Sequence, residues 1–211
     1  MQINRVILQT SLLKELTGFY NAGLNLHTAI KNDGEIIIRI GSTELVFKQV
    51  SVADPFYHIA INIPANKIEE AKKWLMARVD LIWIDDYKSD IADFVNWRAK
   101  SVYFFDPAGN IVELIARFDL DNKTEEPFSA AQFLSISEVG LVIKANEFDE
   151  SVTGLLKQYQ LSYFGKQPPL PQFRAIGDDE GLFIVVPENR NWFPTDKASG
   201  IFPMEIQFEN D

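Results

Sequence analysis

Glu113 is the residue that most plainly needs a chemical partner. It lies in Ile111-Val-Glu-Leu-Ile-Ala-Arg117, which alternates as a strand with Ile111, Glu113, Ile115 and Arg117 on one face and Val112, Leu114 and Ala116 on the other. A carboxylate on so apolar a strand calls for a metal, a cation or a hydrogen-bond donor. His58 is one of two histidines in the chain. It stands in Tyr57-His-Ile-Ala-Ile-Asn-Ile63, which also alternates strictly, and it shares a face with Ala60 and Asn62. The other histidine, His27, lies in Leu24-Asn-Leu-His-Thr28 and reads as structural. Many chemistries lack their residues. Without cysteine there is no disulfide, thiolate nucleophile or Cys-ligated zinc. The chain has no Gly-x-Ser-x-Gly elbow, P-loop, dinucleotide fingerprint or His-Glu-x-x-His. A Ser–His–Asp triad would have to recruit His58 or His27, and nothing marks a reactive serine beside either.

The elements that must position these residues follow from periodicity and turn chemistry. Asn96 to Arg117 reads as strand, tight turn, strand. Pro107 presets φ, Gly109 supplies a φ other residues resist, and Asp106 and Asn110 are turn formers. The whole chain reads as three copies of a strand–helix–three-strand unit, an α+β pattern. Copy one runs from about Ile3 to Val50. It has strands at Arg5–Gln9, Leu26–Ile30, Glu35–Ile40 and Glu44–Gln49, turns at Asn32-Asp-Gly34 and Gly41-Ser42, and a helix over Thr10–Ala22 stopped by Gly23. Copy two runs from Phe56 to Phe118. Asn66 and Glu69 have capping-box spacing before a helix that buries Ile68, Ala71, Leu75 and Val79, and strands follow at Asp80–Ile84, Ser101–Phe105 and Ile111–Arg117. Asp119 to Pro127 is a charged linker. Copy three begins at Glu138, with a helix from Asn146 and strands at Leu161–Phe164, Leu182–Val186 and Met204–Phe208. The domain plan is therefore residues 1–118 as two paired modules, 119–137 as linker and 138–211 as a third module.

The Asp-Pro-x-Gly-Asn turn followed by a strand with Glu in Val-Glu-Leu resembles the vicinal-oxygen-chelate superfamily of glyoxalase I, extradiol dioxygenases and bleomycin-resistance proteins. The resemblance implies βαβββ modules that pair into a cupped sheet around a site. A His ligand often stands on a module's first strand and a Glu ligand on its fourth. On that reading His58 and Glu113 are metal ligands and Glu113 also a catalytic residue, in a cup between modules one and two. Imidazole plus carboxylate suits Fe, Mn, Ni or Zn. Such a metal could chelate adjacent oxygens of a substrate, stabilising an enediolate or activating dioxygen. The usual three or four ligands are not all visible, because module one offers only Arg5, Gln9 and Glu44 near the matching positions. A one-residue slip decides whether Glu44 or Leu45 faces the cup. Tyr103, with Trp97 and Arg98, could line an aromatic pocket. The implied function is a metal-dependent enzyme, lyase, isomerase or dioxygenase, acting on a small molecule with vicinal oxygens. The alternative is a metal-free binding or resistance-type protein in which Arg5 pairs with Glu113 or anchors an anion. Glu138 repeats the place of His58, and Glu205 that of Glu113. Carboxylates at strand ends more commonly face solvent, so these two are not counted as ligands. Asn189 to Pro194 reads as a plain surface loop, ahead of a lid or a dimer contact.

The 211 residues, 46% hydrophobic with 16 Phe, suffice for a packed core. A net charge of −10 without a basic run disfavours nucleic acid and anionic membrane as partners. The amino-terminal residues lack a signal-peptide core and no apolar run approaches ~20 residues, so the expectation is a cytoplasmic protein without a transmembrane helix. Three modules where modules normally pair leave one sheet edge open in the third, which predicts a homodimer.

Overall fold

The computed structural model describes residues 1–32, 34–51 and 54–210. Asp33, in the expected Asn32–Gly34 turn, lies outside them. The chain is α+β and repeats the βαβββ theme. The first unit is β1 (Gln2–Thr10), α1 (Leu13–Gly18), which widens into a π turn over Phe19–Gly23, then β2 (Thr28–Asn32), β3 (Glu35–Ile40) and β4 (Thr43–Gln49). The second is β5 (His58–Ile63), α2 (Ile68–Met76), β6 (Ala92–Phe94), β7 (Ala99–Phe105) and β8 (Ile111–Arg117). The third is β9 (Ser135–Ile143), α3 (Phe148–Gln158), β10 (Arg174–Gly177), β11 (Leu182–Pro187) and β12 (Glu205–Glu209).

Several local expectations change. Leu81 and Ile84 make isolated bridges instead of a strand, and β6 takes the place expected for Asp80–Ile84. Tyr163 makes a single bridge to Ile176 where a strand was expected. Asn66 caps nothing: its side chain exchanges hydrogen bonds with the backbone of Thr124 in the linker.

The pairing of modules also differs from expectation. The strands form two sheets, ordered β12-β1-β4-β3-β2 and β10-β11-β9-β5-β8-β7-β6. Module two therefore pairs with module three, along the antiparallel β5–β9 seam, and module one stands apart. The reason lies in which strands tolerate burial on both faces. All six residues of β5 and of β11 are buried, as strands at the centre of a covered sheet must be. In contrast, β1 carries Arg5 and Gln9 on one face, and β12 alternates exposed Glu205, Gln207 and Glu209 with Ile206 and Phe208. A strand with one wet face suits a sheet edge. Accordingly β12, expected as module three's fourth strand, leaves that module and pairs antiparallel with β1, while β11 runs parallel to β9 in its stead. The third-module edge from which a homodimer was expected is thus paired within one chain, β9 with β5.

One face of the first sheet (Val6, Leu8, Ile36, Ile38, Leu45, Phe47) and one face of the second (Ile59, Ile61, Val102, Phe104, Val112, Leu114) share a single core with Leu13, Leu16, Ile68, Ala71 and Leu75 from the helices. The opposite face of the second sheet is the inside of the cup. Among the described residues no helix is long and apolar enough to cross a membrane.

Candidate functional site

The Asp106–Asn110 turn sets the register that builds the site. Gly109 adopts φ 75°, and Asp106 accepts from the backbone N–H groups of Ala108 and Asn110. Asn110 Oδ1 then accepts from Tyr57 N at 2.8 Å, and Ile111 N donates to Tyr57 O at 2.8 Å. This clamps β5 beside β8 with His58 opposite Ile111, so Glu113 lies two residues along the same face. His58 Nε2 is 3.2 Å from Glu113 Oε2, and both side chains are buried.

Ala60 is the centre of a row across the sheet. Its partner on β8 is Glu113 and its partner on β9 is Glu138. The small Ala60 side chain leaves the space between two carboxylates open. Glu138 is 3% exposed. It does not face solvent as expected but enters the cup, in module three's counterpart of the His58 position. Glu113 sits two residues past the strand partner of His58; the residue two past the strand partner of Glu138 is Ile184. The aliphatic Ile184 stands where a fourth ligand would. Glu205, expected as that counterpart, is on β12 in the other sheet, exposed and paired with Lys48.

The cation paired with an acid of the cup is Arg117, not Arg5. Fully buried, it pairs with Glu138, reaches Asp179 at 3.3 Å, and donates from Nε to Asn62 Oδ1 at 3.2 Å. Lys166 continues the network to Asp179 and to Asp119. Arg5 and Glu44 do come together, on β1 and β4 of the first sheet, with Arg5 Nη1 3.4 Å from Glu44 Oε2, while Gln9 lies four residues further along β1, opposite Lys48. Leu45 and Phe47 turn into the core, which leaves Glu44 on the outer face with Val46 and Lys48. These three residues are no part of the His58–Glu113 cup, because module one's sheet does not join it.

The cup encloses a cavity of about 270 Å3. His58, Glu113 and Glu138 form its floor; Trp97, Tyr103, Phe173 and Phe193 give it aromatic walls. The stretch expected to be a plain surface loop supplies Arg190, Trp192 and Phe193. Trp192 stacks on His58, with ring centroids 5.2 Å apart. Gly140 makes this possible, since a Cβ there would fall 2.5 Å from the Trp192 ring. The sequence did show Arg117 on the Glu113 face. The alternation also marked Glu138 as the counterpart of His58, but its burial needed the β5–β9 seam.

Burial, followed by the neighbouring Glu113 charge, pushes the Glu138 carboxyl up to about 7, while Arg117 and His58 act in the opposite direction. Burial and then the charges of Glu113 and Glu138 lift Tyr103 well above its ordinary range. Folded Glu138 holds its proton more tightly than the unfolded chain does, so its contribution to stability is full below its ordinary value of 4.5 and is lost as pH rises towards about 7. In chelator-treated protein, the unfolding free energy of wild type should therefore fall relative to Glu138→Gln across that window. A difference that stays flat in urea titrations would contradict the assignment.

The donor types suit a divalent metal: one imidazole and two carboxylates on three adjacent strands. As they stand they are not a closed ligand set. Among the described residues no three His, Asp or Glu side chains converge as a metal cluster, and Glu138 is turned to Arg117. His58 Nδ1 is buried without a partner, whereas a metal-bound histidine normally donates its second N–H.

In comparison with solved structures, the chain superposes on a putative dioxygenase from Bacillus subtilis with TM-score 0.61 and 16% identity, covering 88% of this chain and 63% of that one. It thus spans under two thirds of the length of that dioxygenase. A V278E mutant of glyoxalase I from Zea mays gives TM-score 0.57 and 13% identity, over 94% of this chain and 70% of that one. The chain has the vicinal-oxygen-chelate fold, shared with glyoxalases and dioxygenases. No protein-family profile and no curated protein sequence matches it.

Proposed function

We propose that the cup between modules two and three is the working site of a metal-dependent enzyme acting on a small molecule with vicinal oxygens. His58 and Glu113 would hold the metal (Fe, Mn, Ni or Zn), with Glu138 as third donor once its carboxylate leaves Arg117. The observation that carries this reading is the Glu113–Ala60–Glu138 row beside His58. Two buried carboxylates stand on the strands either side of the one that carries His58, and a divalent cation would offset their repulsion. When bound, the metal would supply Lewis acidity at the substrate's oxygens. The chain's own groups exclude water with aromatic walls, orient His58 through Trp192 and Glu113, and return the Glu138 charge to Arg117 when the site is free.

A second reading is a metal-free binding protein of the same fold. It is supported by Ile184 in the fourth-ligand position and by the Arg117–Glu138 pair, which already neutralises one donor. Elemental analysis after anaerobic loading and desalting separates the two readings. The metal reading expects about one equivalent per chain, retained by wild type and lost in His58→Ala, because three protein donors are the minimum of a typical catalytic site. Equal metal content in wild type and His58→Ala, or none in either, would sink it and leave the binder.

A further inference from the structure

We infer that the ligand of this cup is a planar molecule with an anionic group, and that Arg190 reads that group. The inference rests on the cup being a ligand site, as proposed above, but not on the metal.

The segment between β11 and β12 crosses the mouth of the cup and is internally fastened. Asn189 N donates to Ser199 O at 2.9 Å, Ser199 N to Arg190 O at 2.8 Å, and Trp192 N to Lys197 O at 2.9 Å. Ser199 Oγ adds a bond to Pro187 O. The Arg190 backbone is therefore fixed at the cavity wall. Its guanidinium lies 5.5 Å from the centre of the Phe173 ring, and Nη1 donates only to the neighbouring Asn191 O. Arg190 is half-buried, and burial alone acts on its charge, pulling its pKa down with no carboxylate opposing.

Among the described residues, that sets it apart from the other cations around this cup. Arg117 is held by Glu138 and Asp179, and Lys166 by Asp119 and Asp179. A desolvated guanidinium without a counter-charge is costly unless something arrives to pair with it, and its planar fork matches carboxylate or phosphate. The cavity is thus lined by groups of both signs, the acids Glu113 and Glu138 with the His58 imidazole and the Arg190 cation, together with Trp97, Tyr103, Phe173 and Phe193. Flat walls and a volume of about 270 Å3, at the small end for ligand pockets, select a one-ring compound. Its adjacent oxygens would meet the floor and its anionic substituent would meet Arg190.

Calorimetry with two isosteric probes, 3,4-dihydroxybenzoate and 3,4-dihydroxybenzamide, tests this on as-purified and chelator-treated protein. The acid should bind wild type roughly ten-fold tighter than the amide, the value of one charge-assisted contact. Arg190→Gln should abolish that preference by weakening the acid more than the amide, and Arg190→Lys should restore part of it. Unchanged melting temperatures show that the variants fold. Equal affinities in wild type, a preference that survives Arg190→Gln, or no binding of either probe overturns the inference. Failure of the metal reading is separate: it shows in metal content, while the acid–amide preference persists in chelator-treated protein.

Discussion

Arg117→Met should lower the unfolding free energy by about 3–5 kcal/mol, the usual result of removing one partner from a buried charge pair. The guanidinium is fully buried and is the direct partner of Glu138 and a partner of Asp179. Met fills the space, so the loss is electrostatic and not a cavity. Glu138, already pushed up to about 7 by burial and Glu113, loses the neighbour that lowers it most and takes up a proton at higher pH still. The destabilisation should therefore grow as pH rises above about 7, where Glu138 ionises beside Arg117 in wild type but stays protonated in the variant. Asp179 is less affected, since Lys166 remains on it. Arg117→Met/Glu138→Leu removes the stranded acid and should recover most of the loss. Urea titrations at two pH values measure all of this. A loss under about 1 kcal/mol for the single variant, or no recovery in the double, would show that the pair does not govern the cup.

Gly41→Ala should cost about 3 kcal/mol or more, far above an ordinary surface substitution. Gly41 turns the chain between β3 and β4 at φ 52°, and a Cβ there would lie 1.9 Å from Leu134 O and 2.5 Å from Phe133 O. These obstacles are backbone and cannot rotate aside. Leu134 is also the hinge point of the cup's seam: its N–H donates to Asn62 O, its carbonyl accepts from Ser42 N, and β9 begins at the next residue. Displacing it strains the β5–β9 pairing that puts Glu138 beside Ala60. Gly18→Ala is the control. Gly18 has helical φ −61° and nothing within 4 Å of the added carbon, so the same substitution there should be neutral or slightly stabilising. Similar denaturation midpoints for the two variants would refute the argument.

Local pattern determined much of this protein by itself. Alternation gave β5, β7 and β8, the residues Asp106 to Asn110 announced the tight turn that joins β7 to β8, and Glu113 stood out as a lone acid on an apolar strand. All of these depend on interactions within a few residues or between strands joined by one tight turn. Tertiary structure decided which module closes the cup. Arg5, Gln9 and Glu44 occupy the right places within their own module, yet the sheet they belong to joins β12 instead of β5. Conversely, Glu138, Arg190 and Trp192 come to line the cup only because β9 pairs with β5 and the segment before β12 packs against that sheet. A βαβββ pattern specifies each module's internal register, but nothing in its period names the partner. That choice fell to burial on both faces, which β5 and β11 satisfy throughout and β9 over its middle, and which the charged outer faces of β1 and β12 cannot.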